Sequence, residues 1–236
     1  FIYGTKEVQI HMAEEYLEDY LSFIKESERL KTVLRTAWLS DGSRESTAVH
    51  SWRLALLVGI LLDEFPEVDG KKALMLALIH DLGEIYDGDV SAALRPDAGE
   101  KYRKEKKAVD RLAEILGGEA GEKLRELWKE YEDGKTAEAR LVKALDKAET
   151  IIQHNQGKNP PDFDYQFNLE YGRPYFQREY FRGGPSGDDG GEKNLISESG
   201  LDLLARLRRE IDEDTAGKIG EQGENLTPSS AISSRS

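Results

Sequence analysis

The segment Ala73-Leu74-Met75-Leu76-Ala77-Leu78-Ile79 is apolar on every face of a helix and runs directly into His80-Asp81. A helix without a polar face must be surrounded by other segments, so this run predicts a central helix, from about Gly70 to Ile85, with the core built round it. An imidazole delivered by so apolar a run is expected to be buried and to need a polar partner. His80 is therefore the first candidate functional residue.

The rest of the chain reads as helix after helix. Leu17, Leu21, Ile24 and Leu30 give a first amphipathic helix from Glu14 to Leu34. Trp38 and the turn Ser40-Asp41-Gly42-Ser43 follow, and Ser46 and Thr47 offer N-caps to a helix running to about Asp63. Further helices are expected from Gly99 to Leu116, through Leu124, Leu127, Trp128 and Tyr131 to Asp133, and from Ala137 to His154. In the last of these, Leu141, Leu145, Ala148 and Ile152 form the apolar stripe. No segment alternates with period two and no repeat is present, so the expected fold is all-α.

The domain reading is one domain over residues 12–222, with a motif-bearing core at 28–155, an excursion and loop at 156–195 and a C-terminal helix at 197–218. Residues 1–11 are expected to be cloning-derived or disordered and 223–236 a disordered tail. The excursion holds Phe163, Tyr165, Phe167, Tyr171, Tyr175, Phe176, Tyr180 and Phe181, an aromatic density that predicts order. Either a lid or dimer contact, or ordinary packing over the helices, would account for it. Gly183 to Gly191 reads as a flexible loop.

Composition narrows the function classes. The 236 residues carry a formal net charge of −13, which repels phosphate backbones and excludes an extended nucleic-acid surface. A small anionic substrate remains compatible, because one local cation reverses the field within a pocket. Cysteine is absent, which removes disulfides, thiolate metal sites and cysteine nucleophiles and fits a cytoplasmic protein. The longest strongly apolar stretch, Leu54 to Leu62, is about half of the ~20 residues that a membrane span needs, so no membrane association is expected.

Without cysteine, histidine nitrogen and carboxylate oxygen are the ligands left for a divalent metal. Adjacent residues on a helix diverge by roughly 100°, so His80 and Asp81 share an ion only with help from other helices. His50 and Asp146 are candidates. Read alone, His50 fits a core or surface histidine equally well, and Asp146 falls off its helix's apolar stripe, where a solvated carboxylate is expected. Spacing by itself leaves the fourth ligand unassigned.

The order His50, His80-Asp81, Asp146 resembles the H…HD…D pattern of the HD-domain metal-dependent phosphohydrolases. Leu30 to Trp38, Glu45 to Ser51, Ile79 to Glu84 with Gly88-Asp89, Leu127 to Tyr131 and Ala144 to Lys147 are similar to the 5'-deoxynucleotidase branch of that family. The resemblance spans roughly residues 28 to 155. It implies a helical bundle with a divalent metal in its centre, held by His50, His80, Asp81 and Asp146. The ion would be Mn, Co, Zn, Mg, Fe or Ni, with a second metal possible beside Glu84 and Asp89. Glu84 and Asp89 are the implied catalytic carboxylates, the first orienting or deprotonating a metal-activated water and the second serving the leaving 5'-oxygen. Trp38 and Arg35 are the implied sugar and phosphate contacts, with Arg53 a second candidate for the phosphate.

The chain departs from the family's pattern at Val49, where a glutamate usually precedes the first histidine. With Ser46 that glutamate would complete a capping box, so valine costs about 1 kcal/mol or less of local stability unless the position touches substrate. The implied reaction is hydrolysis of deoxynucleoside 5'-monophosphates to deoxynucleoside and phosphate, by a homodimer. Release of triphosphate from deoxynucleoside triphosphates, or nucleotide binding without turnover, are the alternatives.

Overall fold

The computed structural model describes residues 16–185 and 192–226. The expectations for residues 1–11, for most of the Gly183–Gly191 loop and for the end of the tail lie outside the described residues. Helices α1 (Leu17–Ser27), α2 (Thr47–Leu61), α3 (Gly70–Ile79), α4 (Ala98–Leu116), α5 (Gly118–Asp133), α6 (Ala137–Gln156), α7 (Gln166–Glu170) and α8 (Glu198–Leu226) make up the body. The all-α expectation holds, with two short antiparallel ladders among the described residues: β1 (Leu34–Trp38) with β2 (Arg44–Ser46), and β3 (Arg182–Pro185) with β4 (Glu192–Asn194).

Local chemistry sets most helix starts. Ser46, Asp69, Asp97 and Thr136 each accept a hydrogen bond from a first-turn backbone N–H of α2, α3, α4 and α6. The first amphipathic stretch ends earlier than its pattern suggests. After Ser27 it tightens into a 3₁₀ turn over Glu28–Lys31, and Leu34 enters β1. The strand escaped notice because it is short and its partner lies across a turn in which Asp41 accepts from the backbone N–H and hydroxyl of Ser43. At the other end of the chain α8 continues to Leu226, past the expected limit at 218.

The apolar run forms α3, packed between α2 and α6 and touching α5. Ala73, Leu76, Ala77 and Ile79 are buried in the core. Met75 and Leu78 reach the surface instead, 39% and 48% exposed, so the helix is central without being enclosed on every side. It also stops six residues short of Ile85. Beyond Ile79 the backbone changes to 3₁₀ hydrogen bonds, from Glu84 N–H to Asp81 O at 3.0 Å and from Ile85 N–H to Leu82 O at 3.3 Å.

That tighter turn brings Gly83 against α4. A Cβ at Gly83 would stand 2.9 Å from the Glu105 Cα, a backbone atom that cannot swing aside. Gly83→Ala should therefore cost about 1–3 kcal/mol through overpacking, read as a fall in thermal midpoint. An unchanged midpoint would show that the turn and α4 can separate freely.

Candidate metal centre and adjoining cavities

Three helices deliver the candidate ligands to one point. His50 lies on the first turn of α2, fully buried, with its Nδ1 paired to the Glu149 carboxylate of α6. That contact aims its Nε2 inward, 3.1 Å from Asp146 Oδ1 and 3.8 Å from Asp81 Oδ2. His80, at the end of α3, pairs its Nδ1 with the Ala77 carbonyl at 3.0 Å. Its Nε2 points to the same place, 3.0 Å from Asp81 Oδ2 and 3.9 Å from Asp146 Oδ1. The two imidazole centroids are 5.3 Å apart.

This donor set suits a divalent cation, and one nitrogen in it faces only carboxylate oxygens. His80 Nε2 is buried and makes no hydrogen bond, although its Nδ1–H is already committed to a carbonyl. A nitrogen lone pair left bare in a core costs free energy unless something accepts it. Each histidine is fixed through its other nitrogen, as metal-binding imidazoles are. His50, His80 and Asp146 present ligand atoms within 4.8 Å of one another, and Asp81 adds its oxygen beside His80.

The charges of the cluster depend on one another. Burial and Arg35 oppose protonation of His50, but the Glu149 charge and the hydrogen bonds to Asp146 and Glu149 outweigh them and lift it to about 9. Burial resists ionisation of Asp81 and Asp146. His80 overcomes it for Asp81 and Lys147 for Asp146, holding both carboxyls below the usual range. Glu84 goes the other way, pushed well up by burial and by the charges of Asp81 and Asp89. It is 4% exposed, with Thr47 Oγ1 donating to its Oε2 at 3.2 Å and Lys101 Nζ 3.9 Å from its Oε1.

Asp146 corrects the periodicity argument, which left it in solvent. It is 5% exposed, because α6 is covered by α2, α3, α5, α8 and β1 together. The apolar stripe serves one side of α6, and Asp146, Glu149, Thr150, Gln153 and His154 are buried on the rest. Sequence reasoning passed over Glu149, Glu45 and Lys147. The helical spacing from Asp146 to Glu149 was the available signal for the first of these.

A cavity of about 500 Å3 opens on the cluster. Asp81, Glu84, Asp89 and Asp146 are among its lining carboxylates, and Arg35, Arg95, Lys101 and Lys147 supply positive charge. Phe167, Tyr171 and Tyr175 form an aromatic wall. The aromatic excursion thus packs over the helices, burying Phe176 and Phe181 in the core, and also faces this cavity. Arg35 donates to Thr150 Oγ1 at 3.0 Å and stands 3.6 Å from Glu45, while its Nη1 has no hydrogen bond.

Trp38 and Arg53 do not line this cavity. The Trp38 ring meets Phe163 edge-on at 5.9 Å, and Arg44 lies over it. The cavity wall at β1 is made by Arg35, Thr36 and Ala37. Arg53 is occupied by Glu149, with its Nε 2.6 Å from Oε1. Val49 is 40% exposed and also faces away, while Ser46 still caps the Val49 N–H at 3.4 Å without help from a glutamate.

A helical body that brings two histidines and two aspartates from three helices to one buried point defines a candidate divalent-metal protein. A family model described as HD domain matches residues 27–180, and the chain belongs to that family. It is 38% identical over 164 residues to "5'-deoxynucleotidase HDDC2" of Dictyostelium discoideum, covering 65% of this chain and 86% of that protein. The Homo sapiens protein of the same name is 33% identical over 138 residues, covering 58% and 67% of the two chains. A crystal structure from Magnetospirillum magnetotacticum described as a "Predicted metal-dependent phosphohydrolase" superposes with TM-score 0.60 at 25% identity, covering 88% of this chain and 97% of that one.

His154, also on the cavity wall, gives a stability prediction. Its Nδ1 is 2.8 Å from Asn168 Oδ1, and burial pushes the ring down to about 4. The unfolded chain therefore binds a proton that the folded chain refuses between about pH 6.5 and 4. Its contribution is present above pH 6.5 and lost as pH falls toward 4, up to about 3 kcal/mol. Urea unfolding from pH 7 to 4 should show a steeper acid-side loss for the wild type than for His154→Gln; parallel curves would contradict it.

Proposed function

We propose that this chain hydrolyses deoxynucleoside 5'-monophosphates to deoxynucleoside and inorganic phosphate. The observation that carries the reading is the four-residue cluster with the buried Glu84 carboxyl beside it on an aromatic-walled cavity that Arg35, Arg95, Lys101 and Lys147 also line. The 5'-deoxynucleotidase names of its relatives support the substrate class. His50, His80, Asp81 and Asp146 would hold the cation. When bound, it supplies Lewis-acid stabilisation for the charge that develops on the phosphoryl oxygens.

The remaining chemistry falls to the chain's own groups. Arg35, which lines the cavity, meets the phosphate, and Lys101 and Lys147 add positive charge around it. Tyr171 and Tyr175 form the wall against which the nucleoside rests. Glu84 takes a proton from the attacking water at one carboxylate oxygen, oriented by the Thr47 hydroxyl. Burial and the charges of Asp81 and Asp89 raise its proton affinity, which favours its taking that proton. Asp89 delivers a proton to the departing 5'-oxygen as the P–O bond breaks. Trp38 and Arg53 act behind the site, Trp38 through Phe163 and Arg53 through the Glu149 carboxylate that holds His50.

Among the described residues no helix is long and apolar enough to cross a membrane. The cysteine-free composition supports a reducing compartment, and we place the reaction in the cytoplasm. A homodimer is supported by one surface. Val49, Trp52, Leu56 and Ile60 form an exposed apolar stripe along α2, next to the exposed Met75 and Leu78 of α3.

Metal-stripped protein reconstituted with Mn, Co, Mg or Zn and offered deoxy- and ribonucleoside mono- and triphosphates should release phosphate from the deoxynucleoside monophosphates. His80→Ala should abolish the activity, and Glu84→Gln should lower kcat by roughly 10²–10⁴. Triphosphate release, or no turnover with any of these metals, would overturn the reading. Light scattering after size exclusion should give the mass of a dimer for the wild type and of a monomer for Trp52→Glu; a monomeric wild type would overturn the dimer.

A further inference from the structure

Tyr131 completes the buried face of α5 that Leu124, Leu127 and Trp128 begin, and on that spacing it is one more packing residue. Its ring does pack. It meets the His80 imidazole edge-on, with centroids 5.3 Å apart and planes at 62°, and Lys143 Nζ lies 3.9 Å from its centre. A phenylalanine would pack as well, so the hydroxyl needs a separate reason. It belongs to a residue only 5% exposed, and it donates to Asp146 Oδ2 at 3.3 Å. We propose that Tyr131 is a positioning residue for the metal centre, one that holds Asp146 so that Oδ1 is the oxygen offered to the cation.

The two oxygens of Asp146 have different neighbours. Oδ1 stands 3.1 Å from His50 Nε2 and 3.9 Å from His80 Nε2, where the ligand atoms converge. Oδ2 is taken by the Tyr131 hydroxyl and by Lys147 Nζ, the latter at 2.7 Å. The terminal torsion of an aspartate is broad and roughly two-fold, so hydrogen bonds to one oxygen are what keep the other in place. The two donors are not equivalent. Lys147 carries its charge on a flexible stem and also lines the cavity on the cluster, so an anionic ligand there can draw its ammonium away from Oδ2. Tyr131 does not line that cavity, and its ring is packed against His80 and Lys143. It is the donor that keeps Oδ2 tied while such a ligand is bound. Metal ligands depend on partners of this kind, and loss of one typically weakens metal binding about 10- to 100-fold.

This role rests on the four-residue metal set of the proposed function but not on deoxynucleotide turnover, so the experiment reads metal binding with no substrate present. Metal-stripped protein is titrated with Mn or Co in competition with a chromophoric chelator. Tyr131→Phe keeps the ring against His80 and removes only the hydroxyl; it should raise the metal Kd by about tenfold or more. In Asp146→Ala the hydroxyl has no carboxylate left to hold, so adding Tyr131→Phe to that variant should change Kd by less than about twofold. An unchanged Kd in Tyr131→Phe would overturn the role. So would an equal loss in both backgrounds, because a purely structural effect of the hydroxyl does not depend on Asp146. Asp146→Ala alone tests the metal set: it should weaken binding more than Tyr131→Phe does, and an unchanged Kd there would overturn the set and the role of Tyr131 with it.

Discussion

Two imidazoles and two carboxylates gathered inside a helical core are the constraint round which this molecule is arranged. Burying such groups is costly unless each finds a partner of opposite charge, and here the partners come in rings. Asp146 is answered by His50 on one side and Lys147 on another, and His50 by Glu149 on its far nitrogen. Glu149 is in turn met by Arg53 and Arg35, and Arg35 by Glu45. His80 Nε2, buried beside the Asp81 and Asp146 carboxylates without a hydrogen bond, is the place where a cation would complete the set.

The surrounding elements follow from holding that ring in place. α6 contributes from most of its circumference, which is possible only because four helices and β1 cover it. The tight turn after α3 swings Asp81 and Glu84 out of helical register, and Gly83 lets that turn press against α4. On the far side, Arg208 of α8 is buried and donates to the carbonyls of Asn168, Leu169 and Tyr171. The C-terminal helix thereby fixes the segment that presents Tyr171 to the cavity.

Much of this was legible in the sequence, for specific reasons. The caps at Ser46 and Thr136 and the turn at Ser40–Ser43 stand where the residues put them, because hydrogen bonds between neighbours in sequence depend on little else. His80 was legible from the apolar run behind it. Less visible were features set by what lies across the fold. β1 forms because β2 lies beside it, and Met75 and Leu78 stay exposed because nothing in the described chain covers them. Trp38 turns to Phe163, and Arg53 to Glu149, residues more than ninety positions away.

By itself the sequence determined the helical class, most helix starts and the order of the H…HD…D residues, since periodicity, capping and residue type are local properties of the chain. The tertiary structure alone decided that Asp146 is buried, that Glu149 orients His50, and that a cavity opens on the same ligands. The physical reason is that burial and charge pairing belong to a position in space. A carboxylate off the apolar stripe of its helix looks solvated until neighbouring helices close over it.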